Sequence, residues 1–312
     1  MDSLIYSLNA TVPVFLVMII GYILKRVGIL GDEFVKSANK FNFKVTLPAL
    51  LVKDLMNADF NHVFDGKYVL FCATATTLCF VIIWICAKLF IKEKSIIGEF
   101  VQGSFRGSAA VLGSAFVLNI YGTTGMVPLM IVGSVPLFNI FSVVVLSFEA
   151  GNGEKGKIKS AFLNILKNPI ILGIVAGMLL SVLEVDFPHI IDATIDNFAK
   201  MATPLALICI GAAFEGRKAI KLIKPTIAVS IIKLIIQPLI FLPIAVWLGY
   251  GGEKLIALII MLGAPTTPSC YIMAKNMGHE GILTSGAVVL TTCMSAFTIT
   301  ICLFIVRSLG LV

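Results

Sequence analysis

The sequence predicts an all-α protein that crosses a membrane many times. Of its 312 residues, 58% are hydrophobic and only 13% are charged, whereas soluble domains carry about 25% charged residues. The apolar residues form runs of roughly the 20 residues that a helix needs to cross a bilayer. Two of these runs have glycine- or proline-rich centres, which is typical of transporters.

Ten apolar segments are long enough to be transmembrane helices. They comprise residues 8–24, 35–56, 67–90, 98–121, 126–149, 160–183, 189–214, 219–248, 253–277 and 281–306. The N-terminal sequence Met1-Asp2-Ser3 has neither the basic region nor the cleavage site of a signal peptide. We therefore expect the first segment to be retained as a helix.

Lysine and arginine are concentrated in the odd-numbered loops between these spans. The residues are Lys25, Arg26, Lys36, Lys88, Lys92, Lys94, Lys155, Lys157, Lys159, Lys167, Arg217, Lys218, Lys221 and Lys224. Because basic loops remain on the cytoplasmic side, we expect both termini on the non-cytoplasmic side. This topology explains the net charge of +7, so the charge does not indicate nucleic-acid binding.

An internal repeat divides the chain into two halves, 1–156 and 157–312. Six residue pairs share one offset of 156 positions: Pro13 and Pro169, Gly21 and Gly177, Lys44 and Lys200, Pro48 and Pro204, Gly122 and Gly278, and Gly125 and Gly281. Each half contains five predicted spans. An odd number of spans sends the second half into the membrane from the opposite side, so we expect two inverted five-helix repeats.

The fourth and ninth spans, which correspond in this repeat, both have interrupted centres. The ninth contains Pro265 and Pro268, and proline breaks the helix that precedes it. The fourth contains Gly103 and Gly113, and glycine permits unwinding. Broken backbone at membrane depth must be buried in protein or line a cavity. We therefore expect breaks at Gly103, Gly113 and Pro268, with the two helices crossing at mid-membrane.

This crossing is the predicted substrate site, because half-helix N-termini carry partial positive charge and receive anions. Arg106 would add a full charge that suits a carboxylate, although its side chain could instead snorkel to the surface. The candidate substrate-binding residues are Arg106, Gly107, Ser108, Pro265, Thr266, Thr267, Ser269, Asn42 and Thr46. The hydroxyl groups could also satisfy the freed backbone, and Asn42 and Thr46 could form interhelical hydrogen bonds.

Lys233 is a second charge deep in the predicted membrane region, and no Asp or Glu lies at comparable depth. We interpret it as a fixed cation in the place of a coupling ion.

The three histidines lie in separate loops and the seven cysteines contain no CxxC spacing, so no metal site or cofactor is expected. The HExxH signature and the paired acids of lipid-phosphate chemistry are absent, which argues against an enzyme with catalytic residues.

The sequence resembles the auxin efflux carrier family in its short bacterial form. The matching residues are Asn39-Lys40-Phe41, Leu47-Pro48-Ala49, Pro204-Leu205-Ala206-Leu207, Lys233 five residues before Pro238, Ala264-Pro265 and Ala274-Lys275. The resemblance implies a fold similar to that of sodium–bile-acid symporters. Plant members carry Pro-Asn at the fourth-helix crossing where this chain has Gly107-Ser108, so auxin recognition is not expected.

The same resemblance implies a scaffold, about 8–56 and 160–214, that forms a homodimer. It also implies a transport domain, about 67–149 and 219–306, that moves like an elevator in the bacterial inner (plasma) membrane. We expect a secondary active transporter for a small organic anion such as a carboxylate. The alternatives are a sodium-coupled symporter of the bile-acid type and a ligand-binding membrane sensor that uses the transporter fold.

Overall fold

The computed structural model of the chain describes residues 2–56, 65–110, 117, 125–150, 165–185 and 187–312, with side chains from residue 12 onward. Within these ranges all regular secondary structure is helical. Five helices are long and apolar enough to cross a membrane: Gly66–Phe90, Val127–Glu149, His189–Ala212, Ile223–Trp247 and Ile282–Ser308. The prediction of an all-α, multi-pass membrane protein is confirmed at this level.

We number the helices in chain order. The first half contains α1 (Asp2–Arg26), α2 (Asp32–Phe41), α3 (Leu47–Met56), α4 (Gly66–Phe90), α5 (Ile97–Phe105) and α6 (Val127–Glu149). The second half contains α7 (Pro169–Val182), α8 (His189–Ala212), α9 (Gly216–Lys221), α10 (Ile223–Ile231), α11 (Gln237–Trp247), α12 (Gly252–Gly263), α13 (Ser269–Asn276) and α14 (Ile282–Ser308). Two π-helical segments, Asn42–Thr46 and Ile232–Ile236, join α2 to α3 and α10 to α11.

The first residues of the sixth predicted span, 160–183, lie outside the described ranges. Ile165 and Leu166 are helical, and helix α7 begins at Pro169. The Asn168 side chain caps the N-terminus of α7 and accepts a hydrogen bond from the Ile170 amide at 2.9 Å. Proline in the first helical position needs no hydrogen-bond partner for its nitrogen. The other described helices agree with the predicted spans to within several residues.

Glycines allow two pairs of helices to pack at very short distances. A Cβ atom at Gly21 of α1 would lie 2.5 Å from the carbonyl oxygen of Ile208 in α8. A Cβ atom at Gly177 of α7 would lie 3.0 Å from the Cα of Val52 in α3. Gly177 follows Gly21 by 156 positions, and Ile208 follows Val52 by the same number. The two close contacts are therefore equivalent under the offset found in the sequence.

The buried carboxylate of Glu99 connects the first turn of α5 to the start of α14. It accepts hydrogen bonds from the Gly281 amide at 2.7 Å, the Thr284 amide at 2.9 Å and the Thr284 hydroxyl at 3.1 Å. Gly281 has a φ of +75°, a conformation that favours glycine. A carboxylate at a helix N-terminus is stabilised by the helix dipole, so Glu99 fixes the relative position of these two helices.

Candidate functional site

The two predicted interruptions are present and contact each other. Helix α5 ends at Phe105 and α12 ends at Gly263, and α13 begins only at Ser269. The Ser108 amide donates a hydrogen bond to the carbonyl oxygen of Pro265 at 2.9 Å. The Thr266 hydroxyl donates to the carbonyl oxygen of Gly103 at 2.8 Å. The non-helical segment 264–268 is therefore joined by hydrogen bonds to the non-helical segment 106–108 and to the last turn of α5.

The break in the fourth predicted span lies at 106–108 and not at Gly103. Gly103 lies inside α5, since the helix continues until the Arg106 amide donates to the Gln102 carbonyl at 3.3 Å. Its missing side chain instead lets Val229 approach, 3.3 Å from the position of a Cβ atom. Pro268 directly precedes α13, as expected of a residue at a break. Gly113 lies outside the described residues.

Arg106 is the first residue after α5, and its side chain points into the protein. Only 6% of the residue is exposed, so it does not snorkel to the surface. Its Nη2 donates to Asn139 Oδ1 at 2.8 Å and to Ser269 Oγ at 2.7 Å. Its Nη1 lies 2.7 Å from Met273 Sδ and 3.4 Å from Ser142 Oγ. All four partners are electrically neutral.

Lys233 is fully buried beside the same contact and caps the C-terminus of α12. Its Nζ donates to the carbonyl oxygens of Leu262 at 2.9 Å and Met261 at 3.2 Å, and to Gln237 Oε1 at 3.3 Å. These carbonyl groups lack helical partners because α12 stops at Gly263. The ammonium group thus satisfies the negative end of this half-helix dipole.

Gln237, four residues after Lys233, likewise caps the C-terminus of α5. Its Nε2 donates to the carbonyl oxygen of Ser104 at 2.6 Å, while its Oε1 accepts from Lys233. Lys233 lies within the π-helical segment Ile232–Ile236 and Gln237 directly follows it, and such segments occur often at functional sites. Lys233 and Gln237 together connect the C-termini of both half-helices.

The two buried cations have no acidic partner in the part of the chain that the structure describes. No ion pair within the described ranges includes Arg106 or Lys233. The buried carboxylate of Glu99 is engaged by α14 instead. An isolated buried charge is costly unless it is paired, so the arrangement favours an anion as an additional partner.

The remaining predicted site residues fall into two groups. Ser108 and Thr267 are half-buried at the contact, and the Thr267 hydroxyl lies 3.1 Å from Ser269 Oγ. Asn42 and Thr46 are fully buried in the interface with α8: Asn42 Nδ2 donates to the Ala202 carbonyl at 2.9 Å, and Thr46 donates to Asn42 Oδ1 at 2.8 Å. Asn42 therefore forms an interhelical hydrogen bond, as in the alternative interpretation, whereas Thr46 bonds within its own π-helical segment.

Three polar partners of the site were missed at the sequence level. Asn139 and Ser142 are polar residues three positions apart in the mostly apolar α6, which places them on one helical face. Gln237 follows Lys233 by four positions and shares its face for the same reason. This spacing indicates that the polar residues share a helical face, but the sequence alone does not show which neighbouring helix each face contacts.

A cavity of about 1180 Å³ opens between the ends of α1, α2 and α8 on one side and α13 and α14 on the other. Six basic residues line it: Lys25, Arg26, Lys36, Lys40, Lys218 and Lys275. Three acidic residues line it: Asp32, Glu215 and Glu280. The cavity reaches Tyr271, two residues after Ser269, and its excess of basic residues gives it a positive potential.

In the described ranges, no group of three His, Cys, Asp or Glu side chains could hold a metal ion. The cysteines are free, and Cys270 lies buried one residue after Ser269. The polar groups that surround the contact are hydroxyl, amide, guanidinium and ammonium groups, which suit hydrogen bonding to a small polar molecule.

A family model described as "Membrane transport protein" matches residues 6–303. The chain belongs to this family, the auxin efflux carrier family. It is 24% identical over 304 residues to the "Putative malonate transporter" of Rhizobium meliloti, covering 95% of this chain and 94% of that protein. It is also 24% identical over 282 residues to the "Uncharacterized transporter YfdV" of Escherichia coli, covering 88% and 89%.

A relative of a different description is the "Lysosomal cholesterol signaling protein" of Mus musculus. The chain is 24% identical to it over 310 residues, which cover 90% of this chain but 35% of the mouse protein. Members of the auxin efflux carrier family are membrane transporters and not enzymes. The multi-pass helical structure agrees with this family, and the family match extends over both interrupted helices.

Proposed function

We propose that this protein is a secondary active carrier for a small organic anion, such as a carboxylate, and that the anion binds where the two interrupted helices meet. One observation carries the proposal: the buried Arg106 guanidinium at this contact has only neutral partners in the described residues. Its planar fork suits a carboxylate. The similarity to a relative named "Putative malonate transporter" supports the same substrate class.

The proposed architecture consists of ten transmembrane helices in two inverted repeats, 1–156 and 157–312, with the fourth and ninth spans crossing. The equivalent close contacts at Gly21 and Gly177 support this arrangement. The packing of α1 on α8 and of α3 on α7 supports a scaffold of about 8–56 and 160–214. The remaining spans, about 67–149 and 219–306, would form a transport domain that moves like an elevator against a dimer of scaffolds.

The basic cavity between these two proposed domains serves as the cytoplasmic entrance for the anion. Four of its six basic residues, Lys25, Arg26, Lys36 and Lys218, belong to the group that the sequence assigns to the cytoplasmic loops. A positive vestibule raises the local concentration of an anionic substrate. Both termini would then lie on the non-cytoplasmic side of a bacterial inner membrane.

The proposal is tested by measuring substrate binding and uptake by the purified wild type and by its Arg106→Gln variant. In proteoliposomes we expect the wild type to take up at least one of a series of short mono- and dicarboxylates that includes malonate. The R106Q variant should lose this uptake, and the same ligands should no longer raise its melting temperature. Arg307→Gln, at an exposed arginine near the end of α14, is the matched control and should behave like the wild type. Equal uptake by R106Q and R307Q would exclude Arg106 from the site.

Lys233 favours a carrier without sodium coupling over the sodium-coupled alternative. Unwound carbonyl groups and half-helix C-termini are the groups that bind Na⁺ in related transporter architectures. Here the Lys233 ammonium already occupies the C-terminus of α12. We therefore expect uptake to be equal in sodium and choline buffers, and Lys233→Gln to reduce both uptake and stability. Strict sodium dependence of the wild type would contradict this assignment.

A ligand-binding membrane sensor is the second candidate function, favoured by the similarity to a mouse protein named for signalling. A sensor requires ligand binding but no net movement of the ligand. Thermal stabilisation by a carboxylate that depends on Arg106, without any uptake into proteoliposomes, would support the sensor.

A further inference from the structure

Among the described residues, Asn139 makes the shortest hydrogen bond to Arg106 from any helix outside the fourth and ninth predicted spans. The residue is only 2% exposed, and its Oδ1 accepts from Arg106 Nη2 at 2.8 Å. Its Nδ2 donates to the Val135 carbonyl at 2.9 Å, one turn earlier in α6. This second bond determines which end of the amide faces the arginine, because a rotated amide would place two donors against each other.

Ser142 presents an acceptor to the same guanidinium in the same way. Its hydroxyl donates to the Phe138 carbonyl at 2.6 Å, which leaves an oxygen lone pair facing Arg106 Nη1 at 3.4 Å. Both residues therefore use their donors within α6 and direct only acceptors toward Arg106. They fix the plane of the guanidinium and leave its positive charge uncompensated.

An aspartate has nearly the same shape as an asparagine but would carry a negative charge. At position 139 it would form a buried ion pair with Arg106, and hydrogen bonds between two charged groups are stronger than neutral ones. The internal carboxylate would then take the role of the substrate. The neutral amide avoids this competition while it still holds the arginine in position.

We infer that Asn139 is a positioning residue that orients Arg106 without neutralising it, and that it thereby determines the selectivity of the site for anions. This inference rests on the proposed function, because it assigns a carboxylate as the partner of Arg106. It adds that the anion selectivity depends on an uncharged side chain in α6.

The test compares Asn139→Asp and Asn139→Leu in the full-length protein, with malonate as the probe. At pH 8 we expect N139D to bind malonate roughly tenfold more weakly than the wild type, or worse. Relative to the wild type at each pH, affinity should return only below about pH 4, where a carboxylate paired with an arginine becomes protonated. N139L should bind weakly at every pH, because nothing orients the arginine.

Ser134→Ala is the matched control, since Ser134 is buried in α6 and, among the described residues, its hydroxyl bonds only Met130 of its own helix. It should bind like the wild type. If N139D does not fold, Ser142→Asp places a carboxylate beside the same guanidinium and should show the same pH-dependent recovery.

The possible results separate the two proposals. If R106Q abolishes malonate binding but N139D and S142D bind like the wild type at every pH, the role of Asn139 is overturned and the proposed function stands. If N139D and N139L are equally weak at all pH values, Asn139 has a structural role only. If no short carboxylate binds the wild type, both proposals are overturned.

Discussion

At the scale of single residues, the two adjacent threonines in the ninth-span interruption form different hydrogen bonds. The Thr266 residue is 1% exposed, and its hydroxyl holds the Gly103 carbonyl across the contact. The Thr267 residue is half-buried, and its hydroxyl contacts only Ser269 in the described residues. The first hydroxyl joins the interruption to α5, while the second remains a candidate for the proposed contact with the substrate.

This difference predicts that Thr266→Val reduces stability and Thr267→Val reduces ligand binding. T266V removes one hydrogen bond and leaves the Gly103 carbonyl buried without that donor, which costs about 1–3 kcal/mol. T267V should change the free energy of unfolding by less than about 1 kcal/mol, yet weaken carboxylate binding. Thermal melts with and without ligand measure both effects. A T266V variant that loses only ligand binding and a T267V variant that loses only stability would contradict these assignments.

Residue chemistry also explains which parts of the site could be predicted. The two prolines determine the ninth-span break locally, because each removes an N–H group and clashes with the preceding turn. Glycine only permits a break, so the fourth-span break was placed at Gly103 instead of at 106–108, where the Ser108–Pro265 contact determines it. The roles of Asn139 and Ser142 depend on the rotation of α6 toward Arg106, which is a property of packing and not of local sequence.

At the scale of helices, the contact between the interruptions depends on Gly107. A Cβ atom at this position would lie 2.9 Å from Lys233 Cε and 3.0 Å from the Ala264 carbonyl oxygen. Both distances are shorter than ordinary van der Waals contact, and the Ala264 oxygen belongs to the backbone. Glycine is therefore required here for close approach, not for an unusual backbone conformation.

We expect Gly107→Ala to destabilise the protein by about 1–3 kcal/mol, the usual cost of overpacking. It should also displace Lys233 from the α12 carbonyl groups and so reduce uptake. Gly216→Ala is the control, because the nearest atom to a Cβ there is a Phe214 ring carbon at 3.7 Å. Melting temperatures and uptake rates measure both variants, and a G107A protein as stable as G216A would contradict the close contact.

A second prediction at this scale concerns the ion pair between the start of α4 and the start of α12. Asp65 Oδ2 lies 2.6 Å from Lys254 Nζ, and the hydrogen bond from Lys254 lowers the pKa of the Asp65 carboxyl below its ordinary value. A lowered folded-state pKa contributes stability above the unfolded pKa of about 4. This contribution is lost as the pH falls through the folded-state pKa.

Asp65→Asn should therefore lower the melting temperature at neutral pH, and the difference from the wild type should shrink below about pH 4. Asparagine caps a helix as well as aspartate does, so the variant removes the ion pair while it keeps the N-cap of α4. Asp32→Asn is the control: its side chain is 98% exposed, so its pair with Lys25 contributes little. A D65N effect that is constant with pH would exclude the ion pair as its cause.

At the scale of the whole molecule, the proposed inverted arrangement requires a defined orientation in the membrane. Helix α4 has 25 residues, which at about 1.5 Å per residue exceeds the roughly 30 Å of the hydrocarbon layer. Lys67 and Lys92 lie at its two ends and both are exposed. The distribution of basic residues predicts that Lys92 lies in the cytoplasm and Lys67 outside.

Single cysteines at these two positions test the orientation in a variant without the seven native cysteines. A membrane-impermeant maleimide applied to intact cells should label Lys67→Cys and not Lys92→Cys. After permeabilisation both should react, which controls for accessibility. The opposite pattern would place the basic cavity outside the cell and reverse the proposed entrance for the anion. Labelling of both from one side would mean that α4 does not cross the membrane, and the two halves could not then be inverted repeats of five spans.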